Sequence, residues 1–471
     1  MSTFSNDTIC ALASASGGAI AIIRISGPKA ISAVGSICPG LPSDVQANTI
    51  RFARVYKPVE TTGKSDEQKQ TDQGELIDEV MIAVFRAPHS YTGEDSVEIS
   101  CHGSSYIIQQ IIELLIRNGC RMASPGEYTL RAYLNGKLDL SQAEAVADLI
   151  ASTNKATHKI AMSQLRGSFS TELSRLREQL LKLTSLLELE LDFSDHEELE
   201  FANRTELLEL ALTIDHHITT LANSFEFGQA IKQGIPVALI GKTNVGKSTL
   251  LNQLLKEDRA IVSNVHGTTR DTIEDAISIN GVSFRYIDTA GLRQTTDAIE
   301  QIGIERTYKA IARSRIVIWI VDTQPTPDAI DEITELTKNK ALIIVRNKID
   351  LSVEDYSIEL PPALQPDALL YLSAQHGVGI KELEAAIYEA ANIPSLTDSD
   401  VIVTNARHYE ALTAAHHSII NVINGLNNNM SGDLLAEDLR LTLNSLGEIT
   451  GGQITTDETL GNIFKHFCVG K

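Results

Sequence analysis

The residues most able to do chemistry lie in one glycine-rich segment. The eight residues from Gly241 to Ser248 (GKTNVGKS) fit the pattern G-x-x-x-x-G-K-[ST], directly after a predicted strand and before a predicted helix. The glycines allow consecutive backbone N–H groups to face a β-phosphate, and Lys247 can reach the β- and γ-phosphates. The Ser248 hydroxyl is a candidate magnesium ligand. The segment therefore predicts a nucleoside-triphosphate site.

Two later segments predict that the base is guanine. Asn347-Lys348-Ile349-Asp350 follows a predicted strand, and the Asp350 carboxylate can accept hydrogen bonds from both the ring N–H and the amino group of guanine, which adenine cannot supply. Ser373-Ala374 follows the next predicted strand and would close over the base oxygen. Because the carboxyl ends of parallel strands share one edge of a sheet, these residues are expected to lie near the glycine-rich segment.

Further motifs predict contacts with magnesium and the γ-phosphate. The segment 288–291 (Asp288, Thr289, Ala290 and Gly291) lies after a predicted strand, so its carboxylate can approach magnesium through water, and Gly291 offers a free N–H to the γ-phosphate. The segment 267–271 (GTTRD) lies where a first switch belongs, and Thr269 is the candidate second magnesium ligand. The four motifs together predict a GTP-hydrolysing site.

One residue of the chain departs from the pattern of Ras-like GTPases, at the position that orients the attacking water. Ras-like GTPases place a glutamine after the D-T-A-G segment, whereas Leu292 stands there in this chain and can neither donate nor accept a hydrogen bond. Water orientation must therefore come from elsewhere. The candidates are a nearby carboxylate, Glu300 or Glu305, and a second cation.

The elements that must position these residues follow from the hydrophobic pattern. Short apolar strands separated by helices run from Ile235 onwards, and they predict a doubly wound, mostly parallel sheet. These strands are 236–240, 284–287, 316–321, 341–345 and 369–372. Leucines at helical spacing between 141 and 231, and a helical pattern after 394, predict that this sheet is inserted into a helical domain.

The first ~120 residues have a different pattern, typical of an α+β domain. We predict strands at 19–26, 80–85 and 96–100 and a helix at 104–118, with a mobile loop at 60–74. The fold class is therefore α/β and α multi-domain. The predicted domains are 1–122, 123–231, 232–394 and 395–471, the second and fourth forming one helical domain.

Composition limits the partners and the compartment. The 471 residues carry a net charge of −21, so any contact with RNA must be local or shared with a more basic partner. The acidic segment 188–200 could be an interaction surface or a solvated helix face. Five scattered cysteines without a C-x-x-C pair, no apolar run of membrane-spanning length and no signal peptide predict a cytoplasmic protein with free thiols.

The whole chain resembles the MnmE (TrmE) family of tRNA uridine-modifying GTPases. The most specific part of the resemblance is the C-terminal FCVGK at 467–471, which is similar to the family's terminal C-[ILV]-G-K. The segments 126–128 (GEY), 134–140 (LNGKLDL) and 91–95 (YTGED) also look like family signatures.

The resemblance implies a reaction and its partners. By this resemblance, the chain is expected to form a homodimer and to act with the flavin- and NADH-dependent MnmG in a heterotetramer. It adds an aminomethyl or carboxymethylaminomethyl group to carbon 5 of the wobble uridine of certain tRNAs. The one-carbon donor, 5-formyltetrahydrofolate or 5,10-methylenetetrahydrofolate, is expected in the N-terminal domain, at Arg24, Glu98, Lys137 and Lys471.

The resemblance also accounts for the missing glutamine. It implies a potassium ion, held by Asn244, Ser263, Val265 and Thr268, that takes the place of an arginine finger when two GTPase domains meet. Glu300 is then the carboxylate that orients water, with Lys247 also catalytic, and Ser248 and Thr269 hold Mg2+. Further GTP contacts are expected from Val245, Gly246, Thr249, Asn264, His266 and Gly267.

Two alternatives stay open at this stage. A Cys468 thiolate near Lys471 could act as a nucleophile, or the tail could instead place its terminal groups over the folate. The chain could also be a GTP-switched ribosome-assembly factor that binds rRNA without modifying it. Its acidic charge and its folate-type terminus favour the modifying enzyme.

Overall fold

The structure is a computed structural model of the chain. It describes residues 7–15, 17–58, 74–192, 204–258, 275–287, 300–351, 357–393 and 401–452, together with positions 460, 463–465, 467 and 470. These residues form two compact units. The first unit comprises 1–150, 164–208 and 421–471, and the second comprises 151–163 and 209–420.

The described elements alternate between strands and helices along the chain. The strands are β1 Thr8–Leu12, β2 Ile20–Ser26, β3 Thr49–Lys57, β4 Glu75–Phe85, β5 Ser96–His102, β6 Cys120–Met122, β7 Ile235–Ile240, β8 Asp275–Ile279, β9 Val282–Ile287, β10 Ile316–Val321, β11 Ala341–Arg346 and β12 Ala368–Tyr371. The helices are α1 Ala30–Ile37, α2 Ser105–Arg117, α3 Glu127–Leu134, α4 Leu140–Ala151, α5 Lys155–Leu165, α6 Ser168–Asp192, α7 Arg204–Gln233, α8 Lys247–Asp258, α9 Glu300–Arg313, α10 Pro327–Leu336, α11 Ile380–Ala390, α12 Ala406–Asn427 and α13 Gly432–Thr450.

The first unit is built on a six-stranded sheet in the order β3-β4-β5-β2-β1-β6. Neighbouring strands are antiparallel, except that β1 and β6 are parallel. Along β5 the residues Val97, Ile99 and Cys101 are buried with α1 and α2, whereas Glu98 and Ser100 alternate with them on the opposite face. In β5, the period of two therefore separates a core face from a face that carries polar side chains.

Helices from distant parts of the sequence pack together in the same unit. Leucines at alternating spacings of three and four residues are buried along α6, at Leu173, Leu176, Leu180, Leu183 and Leu187. This stripe packs against α13, which buries Leu435, Leu439 and Leu446. The two helices precede and follow the nucleotide region in sequence, so that region is inserted into a helical domain.

The second unit contains the doubly wound sheet, in the order β12-β11-β10-β7-β9-β8. All its neighbours are parallel except β8 and β9. Helices α8 and α11 cover one face and α9 and α10 the other, so every residue of β10 is buried. The chain reverses its direction across the sheet between β7 and β10, which is where such folds bind ligands.

The predicted fold class is confirmed, and the predicted strands of both sheets are present. Strands β1, β3, β6 and β8 were not predicted from the sequence. The predicted loop at 60–74 lies outside the described residues, except for Gly74. No helix in the described part of the chain is long and apolar enough to span a membrane. Cys10, Cys38, Cys101 and Cys120 are free and buried, and Cys468 lies outside the described residues.

Candidate functional site

The glycine-rich segment forms the connection between β7 and α8. Strand β7 ends at Ile240, and α8 begins at Lys247, so six residues make the turn. The backbone has positive φ at Gly241, at Asn244 (φ 63°) and at Gly246 (φ 100°). A Cβ atom on Gly246 would lie 2.2 Å from the Nδ2 atom of Asn347, so only glycine fits there. The result is a tight loop that ends at a helix N-terminus, the geometry that favours an anion.

Lys247 lies at the start of α8 and points back along this loop. Its Nζ atom donates hydrogen bonds to the carbonyl oxygens of Gly241 at 2.7 Å and Lys242 at 2.6 Å. Burial lowers the pKa of the Lys247 ammonium below its usual value. The Coulomb attraction between a cation and a neighbouring anion is stronger when the cation is partly desolvated than when it is fully exposed. Lys247 is therefore suited to contact a phosphate.

Asn347 joins the glycine-rich loop to the loop after β12. Its side chain is buried and donates from Nδ2 to the Val245 carbonyl at 2.7 Å. Its Oδ1 atom accepts a hydrogen bond from the Ala374 backbone N–H at 3.0 Å. The Asn347 amide group thus hydrogen-bonds a backbone carbonyl in the glycine-rich loop and a backbone N–H in the loop after β12. The predicted phosphate and base motifs are held in fixed register by this single side chain.

The base-recognition residues lie beside Asn347. Lys348 has a φ of 63°, and its Nζ atom contacts Asp322 Oδ2 at 2.9 Å. Asp350 lies in a short 3-10 helix from Ile349 to Leu351. The pKa of the Asp350 carboxyl is below its usual value, chiefly because of the Ser373 hydroxyl and less so because of His376. An ionised carboxylate at this position is the acceptor that a guanine edge requires.

The remaining predicted GTP-site residues are only partly described. Ser248 and Thr249 lie in the first turn of α8, and Glu300 begins α9. A hydroxyl and an amide oxygen are hard donors, so Ser248 fits Mg2+ and Asn244 fits K+. The residues 263–269 (Ser263, Asn264, Val265, His266, Gly267, Thr268 and Thr269), 288–291 and Leu292 lie outside the described residues, as does the side chain of Glu300. Among the residues that are described, no group of three or more acidic, histidine or cysteine side chains could hold a metal.

The second predicted site lies on the sheet of the first unit. Arg24 on β2 and Glu98 on β5 are direct partners across the strands, and Arg24 Nε donates to Glu98 Oε1 at 2.8 Å. The Arg24 guanidinium lies 5.7 Å from the ring centroids of both Tyr91 and Tyr128. The Tyr128 hydroxyl also donates to the Arg24 carbonyl at 2.7 Å. Arg24 is therefore fixed by a carboxylate and two aromatic rings.

The C-terminal end of the chain reaches this arginine. Arg24 NH1 donates to the carbonyl oxygen of Gly470 at 3.2 Å, across a sequence separation of 446 residues. Gly470 has a φ of 94°, and a Cβ atom there would lie 2.2 Å from the Leu12 carbonyl oxygen. Close packing against β1 therefore requires glycine at position 470. Cys468 and Lys471 lie outside the described residues, although their neighbour Gly470 is at the site.

Lys137 contacts the loop that carries Tyr91. Its Nζ atom donates to the Pro88 carbonyl at 3.0 Å, and its side chain packs beside Gly93. The same loop is anchored by Arg131, which is buried and pairs with Glu94, Asp7 and Glu127. The structure thus brings Arg24, Glu98 and the C-terminal tail together and joins Lys137 to the loop beside them.

Several residues of these sites were not assigned from sequence. Tyr91 and Tyr128 belong to segments already noted as signatures, but their packing on Arg24 was not predicted. Asn347 was assigned to base recognition, whereas its side chain links two loops. His376 was not predicted as a site residue, and its Nε2 atom lies 3.7 Å from Asp350 Oδ2. The sequence signal for His376 was its position three residues after Ser373, close to the predicted base-recognition segment.

Comparison with known proteins covers the whole chain. A family model described as GTP-binding protein TrmE N-terminus matches residues 8–137, and one described as MnmE helical domain matches residues 140–468. The tRNA modification GTPase MnmE of Phocaeicola vulgatus is 53% identical over 100% of this chain and 100% of that protein. The proteins of the same name from Bacteroides fragilis and Flavobacterium johnsoniae are 52% and 48% identical, each over 99% of both chains.

Proposed function

The chain belongs to the MnmE family of tRNA modification GTPases, and on that premise we propose that its GTP hydrolysis serves tRNA wobble-uridine modification. The product is an aminomethyl or carboxymethylaminomethyl group on carbon 5 of the uridine, made with MnmG from a tetrahydrofolate one-carbon donor. We place the protein in the cytoplasm, with domains at 1–122, 123–231, 232–394 and 395–471. The packing of α6 against α13 supports joining the second and fourth domains. The two matched ranges, 8–137 and 140–468, meet about 15 residues after the proposed first boundary.

The main support for the proposal is that Arg24, near the start of the chain, contacts Gly470, near its end. A folate has an anionic glutamate tail and a hydrogen-bonding pterin edge, so its site requires cations and a carboxylate together. Arg24 and Glu98 supply one of each, side by side and about a quarter exposed. The Gly470 carbonyl accepts a hydrogen bond from Arg24, so the described part of the C-terminal tail lies at this pair. We assign Lys471 and Cys468 to the same ligand from the family resemblance.

The homodimer is supported by the outer face of the same sheet. Ile50, Phe52 and Met81 are 69%, 59% and 44% exposed, and Phe52 and Met81 are cross-strand partners. Ile50, Ala83, Glu98 and Arg24 are successive cross-strand partners on neighbouring strands, so their side chains lie on one face of the sheet. The exposed apolar side chains therefore share a face with the proposed folate pair. An exposed apolar surface of this kind marks an interaction site. We propose that a second copy of the chain covers it.

In the GTPase site, the chain's own residues orient the nucleotide. The α8 N-terminus and Lys247 bind the phosphates, and Asp350 selects guanine. When bound through Ser248 and Thr269, Mg2+ would neutralise phosphate charge, and K+ on Asn244, Ser263, Val265 and Thr268 would do so during hydrolysis. Glu300 at the start of α9 would orient the attacking water. This arrangement compensates for Leu292, whose side chain cannot orient water.

Mass spectrometry of tRNA nucleosides from cells that lack the protein tests the proposal. We expect the wobble-modified uridines to disappear and to return when the wild-type gene is restored. A gene carrying Arg24→Ala should fail to restore them, although the protein should still hydrolyse GTP. Unchanged nucleosides together with a defect in ribosomal subunits would instead favour the assembly-factor alternative.

A further inference from the structure

The loop after β12 is a closed turn with His376 at its tip. Ser373 and Val378 exchange both backbone hydrogen bonds, at 3.1 and 3.2 Å, and so close a loop of four residues between them. Gly377 has a φ of 71°, which completes the turn. The Ala374 N–H is held by Asn347 at 3.0 Å. The backbone around His376 is therefore fixed on both sides.

This turn brings an imidazole to the base-recognition carboxylate. His376 Nε2 lies 3.7 Å from Asp350 Oδ2, which is an ion-pair distance when the imidazole is protonated and is too long for a direct hydrogen bond. The His376 side chain is 58% exposed, and that of Asp350 is 22% exposed. Lys348, the other cation next to Asp350 in the sequence, is directed to Asp322 instead. His376 is thus placed to act on one particular carboxylate.

The orientation of that carboxylate matters for guanine. A guanine base presents two parallel donors, and a carboxylate accepts both only when its two oxygens lie in the plane of the base. An aspartate that rotates freely about its terminal torsion must lose that freedom when the base binds. A group that holds one oxygen beforehand reduces this entropic cost.

We propose that His376 is a positioning residue for guanine, which holds Asp350 Oδ2 so that the carboxylate is set to accept both donors of the base. The inference rests on the proposed GTPase site and adds a residue that determines base selectivity. Loss of His376 should therefore weaken the binding of inosine nucleotides less than that of guanine nucleotides, because inosine lacks the 2-amino group and offers a single donor.

Titration calorimetry with GDP and IDP on the full-length chain tests this. His376→Ala should raise the dissociation constant for GDP about two- to fivefold, the range typical of an exposed ion pair. The constant for IDP should rise less. The maximal rate at saturating GTP should not change, because saturation offsets weaker binding and His376 lies in the turn after β12 and not in the glycine-rich loop. His376→Gln, whose amide N–H groups are also polar donors directed towards Asp350, should recover most of the affinity.

Gln375→Ala is the matched control, since Gln375 is exposed in the same turn and contributes its main-chain carbonyl to the contact with Gln253. Equal GDP affinity in His376→Ala and in the control would overturn the inference. Tighter GDP binding by His376→Ala would also overturn it, because the imidazole would then be competing with the base. Failure of the wild-type chain to bind GDP would overturn the proposed function as well, whereas tight wild-type binding with an unaffected variant overturns this inference alone.

Discussion

Asn347 offers the sharpest test of how the nucleotide site is held together. Replacing it with alanine removes the donor to the Val245 carbonyl at 2.7 Å and the acceptor for the Ala374 N–H at 3.0 Å. Both backbone groups would then be buried without that partner, at about 1–3 kcal/mol each. The total is about 2–6 kcal/mol. We expect this free energy to divide between protein stability and nucleotide affinity, because Asn347 links the loops proposed to contact the phosphates and the base.

We expect Asn347→Ala to weaken GDP binding by about 30-fold, which corresponds to about 2 kcal/mol of that total. The remainder should appear as a lower free energy of unfolding in urea without GDP. Asn347→Asp keeps an acceptor for Ala374 but sets a carboxylate oxygen against the Val245 carbonyl, so it should lose at least as much affinity.

Calorimetry with GDP and urea unfolding of the same preparations measure both quantities, with Gln375→Ala as the control in the neighbouring turn. Wild-type affinity and wild-type stability in Asn347→Ala would refute the argument, because the two buried backbone groups would then cost nothing. A loss of stability alone, with unchanged affinity, would restrict Asn347 to a structural role.

The proposed roles of potassium, Glu300 and the C-terminal tail each imply a measurable effect. GTP turnover should rise strongly when K+ replaces Na+, and Asn244→Ala should abolish that response; equal rates in both salts would contradict the potassium proposal. Glu300→Ala should lower the rate of GTP hydrolysis while leaving GDP affinity nearly unchanged, since it removes a transition-state interaction only; a large loss of affinity would assign Glu300 to binding. Deletion of residues 468–471 should preserve GTP hydrolysis but abolish tRNA modification, and deletion of Lys471 alone should weaken 5-formyltetrahydrofolate binding about tenfold or more, as expected for a charge-assisted contact of about 1.5–3 kcal/mol. Unchanged folate affinity by calorimetry would separate the tail from the pocket.

Local sequence determined the elements and motifs of the nucleotide unit. Strands covered on both faces appear as continuous apolar runs, so Ile316–Val321 was predicted with the bounds that β10 has. The glycine-rich segment requires its residue types within a few positions, so its place between β7 and α8 followed from spacing alone. The strands missed include short ones, such as β6, and β3, which lies at the edge of its sheet and buries one residue of nine.

Tertiary structure decided the contacts that make the sites. Helical periodicity showed that α6 and α13 each have an apolar stripe, but it does not encode which helix covers which. The same limit applies to Arg24, whose partners Glu98, Tyr91 and Gly470 lie 74, 67 and 446 residues away in the sequence. A side chain's type and its neighbours along the chain fix its chemistry. Its partners in space depend on how the separate layers pack, and only the folded chain supplies that information.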